Sequence, residues 1–277
     1  MAGGQDPARR RGAAGVSGAR PVALVTGASE GIGRAFAEAL AEAGWDLRLT
    51  ARSGERLASL ADALAARGAR TAWLSADLAA EGAAARVWDW ASADGAVPQM
   101  LVNSAGLGSY GLVTEADWAR EHASIRVNLE ALTLLSKRAA VAMAAEGRGR
   151  IVTVASTAAF QPCPRMAVYA GTKAYVLSFS EALAEELAGS GVTVTALCPG
   201  PVRTPFQDRA EMLDAALIKG RRLPGPEAVA RFGLRAALAG RRVAIPGTLN
   251  AATAFAVRFL PRRLVTWLAL HVMAPRR

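Results

Sequence analysis

The sequence contains little cysteine and little histidine, and this scarcity argues against several kinds of site. Its two cysteines, Cys163 and Cys198, do not have the spacing of metal ligands, so we expect two reduced thiols in a cytoplasmic protein. Its two histidines, His122 and His271, give little support to a His-based metal centre or a Ser-His-Asp triad. We therefore predict no metal site.

The chain also lacks long hydrophobic runs at its two ends. Residues 1–20 are rich in Gly, Ala and Arg and contain no apolar segment of a signal peptide, so we expect a disordered basic leader. The apolar runs of residues 248–277 are shorter than the roughly 20 residues that span a bilayer. We expect this tail to cover a pocket or a subunit interface, and peripheral contact with a membrane surface stays open.

The positive charge is concentrated at the two ends of the chain. The formal net charge is +10, of which residues 1–20 supply +3 and residues 258–277 supply +5. A nucleic-acid-binding domain would instead carry a basic face or recognition helix in its body. We therefore expect no nucleic-acid partner.

Short β-branched runs alternate with longer segments rich in Ala, Leu, Glu and Arg from Pro21 onward. Such alternation is typical of a parallel sheet with right-handed crossovers. The sequence therefore predicts a single α/β domain over residues 21–247. Its fold would be a doubly wound, Rossmann-type parallel sheet of about seven strands with helices on both faces. The predicted strands are 22–26, 46–51, 71–76, 100–103, 150–155, 192–198 and 242–245, and the predicted helices are 31–43, 54–67, 80–93, 115–145, 167–188 and 226–239.

A glycine-rich turn joins the first predicted strand to the first predicted helix. Gly27, Gly31 and Gly33 would let the backbone approach a pyrophosphate at the helix N-terminus. Their spacing, Gly-x-x-x-Gly-x-Gly, differs from the common Gly-x-Gly-x-x-Gly fingerprint. No Gly-Lys-Ser/Thr follows, which excludes a P-loop. The turn predicts a dinucleotide-binding loop.

The end of the second predicted strand indicates which dinucleotide is bound. A carboxylate there would hydrogen-bond an adenosine 2′-hydroxyl, whereas an arginine accommodates a 2′-phosphate. The chain has Arg52 followed by Ser53, with no acid. We therefore predict NADP(H), with NAD(H) less favoured. Because Glu30 adds no positive charge to the loop, Arg52 is expected to carry most of the preference.

A serine, a tyrosine and a lysine follow the fifth predicted strand. Ser156 lies at its end, and Tyr169 and Lys173 lie four positions apart where a helix begins, so both can project from one face. A nearby ammonium favours the phenolate, so we expect Lys173 to lower the pKa of Tyr169. Ser156 is placed to hold a carbonyl oxygen during proton transfer.

These motifs, in this order, resemble the classical short-chain dehydrogenase/reductase family from about residue 21 to residue 245. Further matches are the Asp77-Leu78 pair, the segment 103–106, Asn128 and the segment 199–204. Ser104 departs from the family pattern, which usually has an asparagine there; we expect a small effect on loop stability.

The resemblance implies a catalytic role for four residues. Tyr169 would exchange a proton with the substrate oxygen, Ser156 would orient the carbonyl, and Lys173 would hydrogen-bond the nicotinamide ribose. Asn128 would help to hold a water that relays protons to Lys173. The cofactor contacts that it implies are Gly27, Ser29, Gly31, Ile32, Gly33, Arg52, Asp77, Leu78, Asn103, Ala105, Gly106, Tyr169, Lys173, Pro199, Gly200, Val202 and Thr204.

The leading hypothesis is an NADP(H)-dependent oxidoreductase for a carbonyl or secondary alcohol of a lipophilic small molecule. One alternative is a 3-oxoacyl-thioester reductase, and another is a non-catalytic NADP-sensing or scaffold protein. Substrate identity is expected to reside in residues 107–113, 160–167 and 204–226. Residues 204–225 would form a mobile excursion, whose apolar side chains would either close over the substrate as a lid or only pack this segment against the domain. We expect a homo-oligomer, a dimer or a tetramer, in the cytoplasm.

Overall fold

The computed structural model describes residues 20–275 except 94, 96 and 221, and it contains a seven-stranded parallel sheet. Most of the predicted leader therefore lies outside the described residues. The strands are β1 (Val22–Thr26), β2 (Asp46–Ala51), β3 (Thr71–Ser75), β4 (Met100–Asn103), β5 (Gly149–Val154), β6 (Val192–Leu197) and β7 (Val243–Ala244). Their order in the sheet is β3-β2-β1-β4-β5-β6-β7.

Helices cover both faces of this sheet, which confirms the predicted doubly wound fold. The helices are α1 (Gly31–Glu42), α2 (Gly54–Ala65), α3 (Ala83–Ala91), α4 (Trp118–Ile125), α5 (Leu132–Ala145), α6 (Ala167–Glu186), α7 (Phe206–Arg209), α8 (Pro226–Leu238), α9 (Thr248–Ala256) and α10 (Arg262–Met273).

Two hydrophobic cores lie on the two sides of the sheet. One joins α1, α2 and α8 to inward-facing residues such as Leu47, Leu49 and Val102. The other joins α3, α5 and α6 to the opposite side chains of the same strands, such as Leu24 and Leu101. Because central strands bury residues on both faces, they appear in the sequence as continuous apolar runs.

The predicted helix 115–145 is wrong as a single α-helix. It begins later, at Trp118, and a π-helical turn, Arg126–Ala131, separates α4 from α5. Such a turn holds one more residue per hydrogen-bonded loop than an α-helix, and π-turns occur frequently at functional sites. Here the turn carries Asn128, whose side chain is fully buried.

Residues 204–225 and the C-terminal tail form a cap above the carboxyl ends of the strands. A hydrogen bond of 3.0 Å from the Ala216 amide to the Ala274 carbonyl joins the two segments. The Tyr110 hydroxyl adds a bond of 2.5 Å to the Met273 carbonyl. None of the described helices has the length and apolar content needed to cross a membrane.

Candidate active site

The glycine turn after β1 forms a cradle that admits only glycine at two positions. Gly27 has φ +65°, and a Cβ there would lie 2.9 Å from the Ala105 amide nitrogen. A Cβ on Gly33 would lie 2.3 Å from the Gly27 carbonyl oxygen. No side chain caps the N-terminus of α1, so its first amide groups remain available to an anion. These features fit the pyrophosphate of a dinucleotide.

Thr26 fixes this cradle to the loop that follows β4. Its hydroxyl oxygen accepts hydrogen bonds from the amides of Ser104 and Ala105, at 3.1 and 3.0 Å. The strand order reverses between β1 and β4, and ligands of doubly wound sheets bind at such a switch point. Sequence reasoning missed Thr26, although its position at the end of β1 before Gly27 was a signal.

A cavity of about 1020 Å³ begins at this cradle and extends below the cap. Every predicted cofactor-binding residue except Asn103 lines it, together with Ser156. The Asn103 side chain is buried and donates a hydrogen bond of 2.9 Å to the Ser136 hydroxyl. The structure therefore places its side chain in the packing between β4 and α5 and outside the cavity.

The helix α6 and the segment after β5 bring three of the four predicted catalytic side chains to this cavity, and the fourth, Asn128, does not line it. The Lys173 Nζ lies 5.7 Å from the centre of the Tyr169 ring and donates a hydrogen bond of 2.7 Å to the Val154 carbonyl. The Ser156 hydroxyl oxygen accepts from the Ala158 amide at 3.1 Å. A proton donor, a hydroxyl and a buried cation therefore share one wall.

Burial dominates the electrostatics of this wall. Desolvation raises the pKa of Tyr169 to about 12, although the Ser156 side chain lowers it. Desolvation also lowers the pKa of Lys173 to about 8. Loss of water thus determines the direction of the Tyr169 pKa shift, and the predicted lowering of this pKa by Lys173 stays a prediction. Tyr169 thus keeps its proton at neutral pH and can act as an acid.

Asn128 lies outside the cavity and connects two of the segments that line it by hydrogen bonds. Its amide oxygen accepts from the Leu107 amide at 3.0 Å, and its amide nitrogen donates to the Thr172 hydroxyl at 2.9 Å. The Thr172 hydroxyl in turn donates to the Tyr169 carbonyl at 2.7 Å. Asn128 therefore holds the loop after β4 against the first turn of α6. Sequence reasoning missed Thr172, and the water relay expected of Asn128 stays a prediction.

Three arginines line the cavity near the end of β2 and the glycine turn, and they differ in their partners. The Arg52 guanidinium has no hydrogen-bond or ion-pair partner within the part of the chain that the structure describes. Arg56, which sequence reasoning missed, pairs with Glu30 at 2.8 Å, and Arg209 of α7 also pairs with Glu30. Glu30 supplies one negative charge against these two cations, whereas no acid within the described residues pairs with Arg52.

The substrate end is formed by the cap and by aromatic side chains. The Phe206 ring packs against Tyr169 with 5.3 Å between ring centres. A Cβ on Gly108 would lie 2.8 Å from Phe206 and 2.9 Å from Tyr169, so only glycine permits this packing. Apolar side chains complete the wall, among them Cys163 and Met166. Both Gly108 and Phe206 lie in segments that the sequence predicted to determine substrate identity.

The tail lines the same cavity from above. Side chains of α9 and α10 reach it, and a Cβ on Gly200 would lie 2.8 Å from the Asn250 amide nitrogen. Of the three roles considered for residues 248–277, this placement supports the cover of a pocket.

Comparison with known proteins places this arrangement among enzymes. A family model described as short chain dehydrogenase matches residues 21–213. A short chain dehydrogenase of Pseudocercospora fijiensis is 36% identical over 187 residues, which are 66% of this chain and 60% of that protein. The granaticin polyketide synthase putative ketoacyl reductase 1 of Streptomyces violaceoruber is 37% identical over 198 residues, which are 69% of this chain and 71% of that protein.

Two solved structures share the fold closely. A short-chain dehydrogenase from Sphingobium yanoikuyae in complex with NADPH has a TM-score of 0.78 and 32% identity, and the match covers 86% of this chain and 92% of that one. A short chain dehydrogenase/reductase from Burkholderia phymatum in complex with NAD has a TM-score of 0.77 and 27% identity, with 85% and 92% covered. Both nicotinamide cofactors therefore occur among the structural neighbours.

Proposed function

Because the chain belongs to the short-chain dehydrogenase/reductase family of oxidoreductases, we propose that it transfers a hydride between NADP(H) and a lipophilic carbonyl or secondary alcohol. The observation that carries this proposal is the continuous cavity that joins the glycine cradle to Ser156, Tyr169 and Lys173. The cofactor and the reacting carbonyl would therefore meet within one pocket.

The side chains of this wall have separate tasks in the proposed reaction. The nicotinamide, when bound, supplies a hydride in reduction and accepts one in oxidation. Tyr169 donates its phenolic proton to the substrate oxygen, so that a carbonyl gains one hydride at carbon and one proton at oxygen. The Ser156 hydroxyl donates a hydrogen bond to the same oxygen. Lys173 holds the nicotinamide ribose, and Asn128 helps to hold a water that returns a proton.

Arg52 supports the preference for NADP(H). Replacing it with alanine (Arg52→Ala) removes the charge-assisted contact to a 2′-phosphate, a contact of about 1.5–3 kcal/mol. We expect KM for NADPH to rise about 10- to 100-fold and KM for NADH to change less than about twofold. Initial rates with both cofactors, at fixed substrate, measure this difference.

Arg34→Ala is the matched control, because Arg34 lies on α1, pairs with Glu38 at 3.0 Å and does not line the cavity. We expect it to leave both KM values unchanged. Equal rises for NADPH and NADH in Arg52→Ala would contradict the proposed 2′-phosphate contact.

The apolar walls support a lipophilic substrate. Phe206, Met212, Leu217 and Ile218 from the cap line the cavity and belong to one apolar cluster with Met166. The similarity to a putative ketoacyl reductase favours the second candidate, a 3-oxoacyl-thioester reductase. The two candidates differ in the shape of the substrate. A lipophilic ketone or alcohol has a compact apolar body next to the reacting carbon, whereas a 3-oxoacyl thioester has a long arm there.

A substrate panel separates these functions. NADPH oxidation is followed with bulky ketones, steroids, 3-oxoacyl thioesters and small polar ketones, and we expect the apolar ketones to react fastest. Higher kcat/KM for the thioesters would establish the second candidate instead. NADPH binding without turnover of any compound would support the sensing or scaffold protein, although the intact set of Ser156, Tyr169, Lys173 and Asn128 argues against that alternative.

Assembly and location complete the proposal. We propose a homo-oligomer, a dimer or a tetramer, that works in the cytoplasm. Both cysteines are unpaired and buried, which is compatible with a reducing compartment. Mass measurement in solution tests the assembly.

A further inference from the structure

The helices α9 and α10 expose an unusual amount of apolar surface. Seventeen large hydrophobic side chains are exposed in the described part of the chain, and nine of them lie between residues 249 and 272. Leu249 is 76% exposed, Phe259 73% and Trp267 55%. Large contiguous apolar patches on a protein surface mark contacts with other molecules or with membranes. We call this area, formed by residues 248–273, the tail surface.

The helix α10 is apolar on both of its sides. Val265 and Met273 are buried and line the cavity, whereas Leu264, Trp267 and Leu270 face outward. A helix that is apolar all round is normally buried on all sides. On its inner side Met273 packs with Met212, Ala215 and Ile218. Its outer side stays exposed, so we expect it to contact another molecule.

The charge of the tail surface indicates which kind of molecule contacts it. Arg258, Arg262 and Arg263 are exposed, and none forms an ion pair within residues 20–275 as far as these are described. The sequence contains no Asp or Glu from residue 248 to its end. A second copy docked by a two-fold axis would place these arginines near one another without an acid between them. A surface of anionic phosphates has the complementary charge.

We propose that the tail surface docks on an anionic lipid bilayer. Phe255, Phe259 and Trp267 enter the boundary between headgroups and acyl chains, and Arg258, Arg262 and Arg263 contact the lipid phosphates. Trp is favoured at this depth because its ring is apolar and its N–H is polar. The helix α10 has 12 residues and a length of about 18 Å, which suits a helix that lies along the surface.

The cavity opens within the docked surface. Leu260 and Leu268 line the cavity and are also exposed, so they form part of its rim. A bilayer against this rim would present its apolar compounds directly to the pocket. That consequence rests on the proposed function, whereas the docking itself does not.

Co-sedimentation of the full-length protein with vesicles tests the docking without any activity assay. We expect binding to vesicles of phosphatidylcholine with 30% phosphatidylglycerol, weaker binding to pure phosphatidylcholine, and loss at high salt of the additional binding to the anionic vesicles only. Each of Arg258→Ala and Arg262→Ala should weaken binding to the anionic vesicles about fivefold. Phe259→Glu should weaken it more strongly, since it places a carboxylate in the bilayer.

Val141→Glu is the control, because Val141 is 67% exposed but lies on α5, outside the tail surface. It should bind vesicles as the unchanged protein does. Sedimentation velocity of Phe259→Glu completes the test. Unchanged mass together with lost vesicle binding supports the docking. If the unchanged protein does not bind vesicles and Phe259→Glu has a lower mass, the tail surface contacts a second copy. If the unchanged protein does not bind vesicles and Phe259→Glu has the same mass, the proposal is also overturned.

Discussion

Tyr169→Phe is expected to lower kcat about 10³- to 10⁴-fold, because the phenylalanine cannot donate a proton to the substrate oxygen. The Kd for NADPH should change less than about threefold, since the ring and its contact with Phe206 remain. Stopped-flow measurement of NADPH oxidation and a fluorescence titration of the cofactor separate the two quantities.

Tyr175→Phe provides the matched control on the same helix. The Tyr175 hydroxyl lies 2.8 Å from the Thr133 hydroxyl, and Tyr175 does not line the cavity. Its kcat should stay within about twofold of the unchanged protein. Comparable kcat values for Tyr169→Phe and Tyr175→Phe would show that another group supplies the proton.

Gly33→Ala is expected to have the second large effect, on cofactor binding. The new Cβ would lie 2.3 Å from the Gly27 carbonyl oxygen and 3.0 Å from that of Thr26, so the turn must move away from the position that cradles the pyrophosphate. We expect the Kd for NADPH to rise more than about 100-fold, and the free energy of unfolding to fall by about 1–3 kcal/mol. Isothermal titration and thermal unfolding measure the two changes.

Gly171→Ala controls for the loss of a glycine as such. Gly171 lies inside α6 and does not line the cavity, and a Cβ added to it would meet no neighbouring atom within 4 Å. Alanine should therefore leave NADPH affinity unchanged and stabilise the helix by up to about 1 kcal/mol. An unaltered NADPH affinity in folded Gly33→Ala would contradict the cradle.

The sequence predicted the sheet well because parallel strands leave a strong local signal. The predicted bounds of β1, β2 and β4 agree with the structure, since each is a short apolar or β-branched run between turn residues. The ends of several helices were predicted one or two residues too late. For α1 the reason is visible, because Gly44 at φ +85° terminates the segment after its last helical turn.

The π-turn and the balance of charges could not be predicted from sequence. The turn at Asn128 depends on hydrogen bonds to Leu107 and Thr172, which are distant in the chain. The pKa values of Tyr169 and Lys173 depend on how deeply the fold buries both groups, and a spacing of four residues contains no such information. Motifs locate these side chains, whereas packing determines their protonation.

The contacts of the cap residues could not be predicted from the sequence either. The sequence indicated apolar residues between 204 and 226, but the contact between Phe206 and Tyr169 requires Gly108 from another loop. The pairing of Glu30 with Arg209 likewise joins the cofactor loop to α7. Such contacts depend on three segments meeting at one point, and no local pattern predicts them.

The switch between β1 and β4 has a consequence for how the chain folds during synthesis. The strands β1, β2 and β3 emerge first and can pair in the order β3-β2-β1, but β1 is an interior strand of the finished sheet and its second edge pairs with β4. Until Met100–Asn103 arrives, that edge presents unpaired amide and carbonyl groups. Pairing between strands so distant in sequence closes long loops and is slow. We therefore expect the nascent chain to pass through a stage in which the sheet edge beside the candidate cofactor site is open, and an open edge favours aggregation.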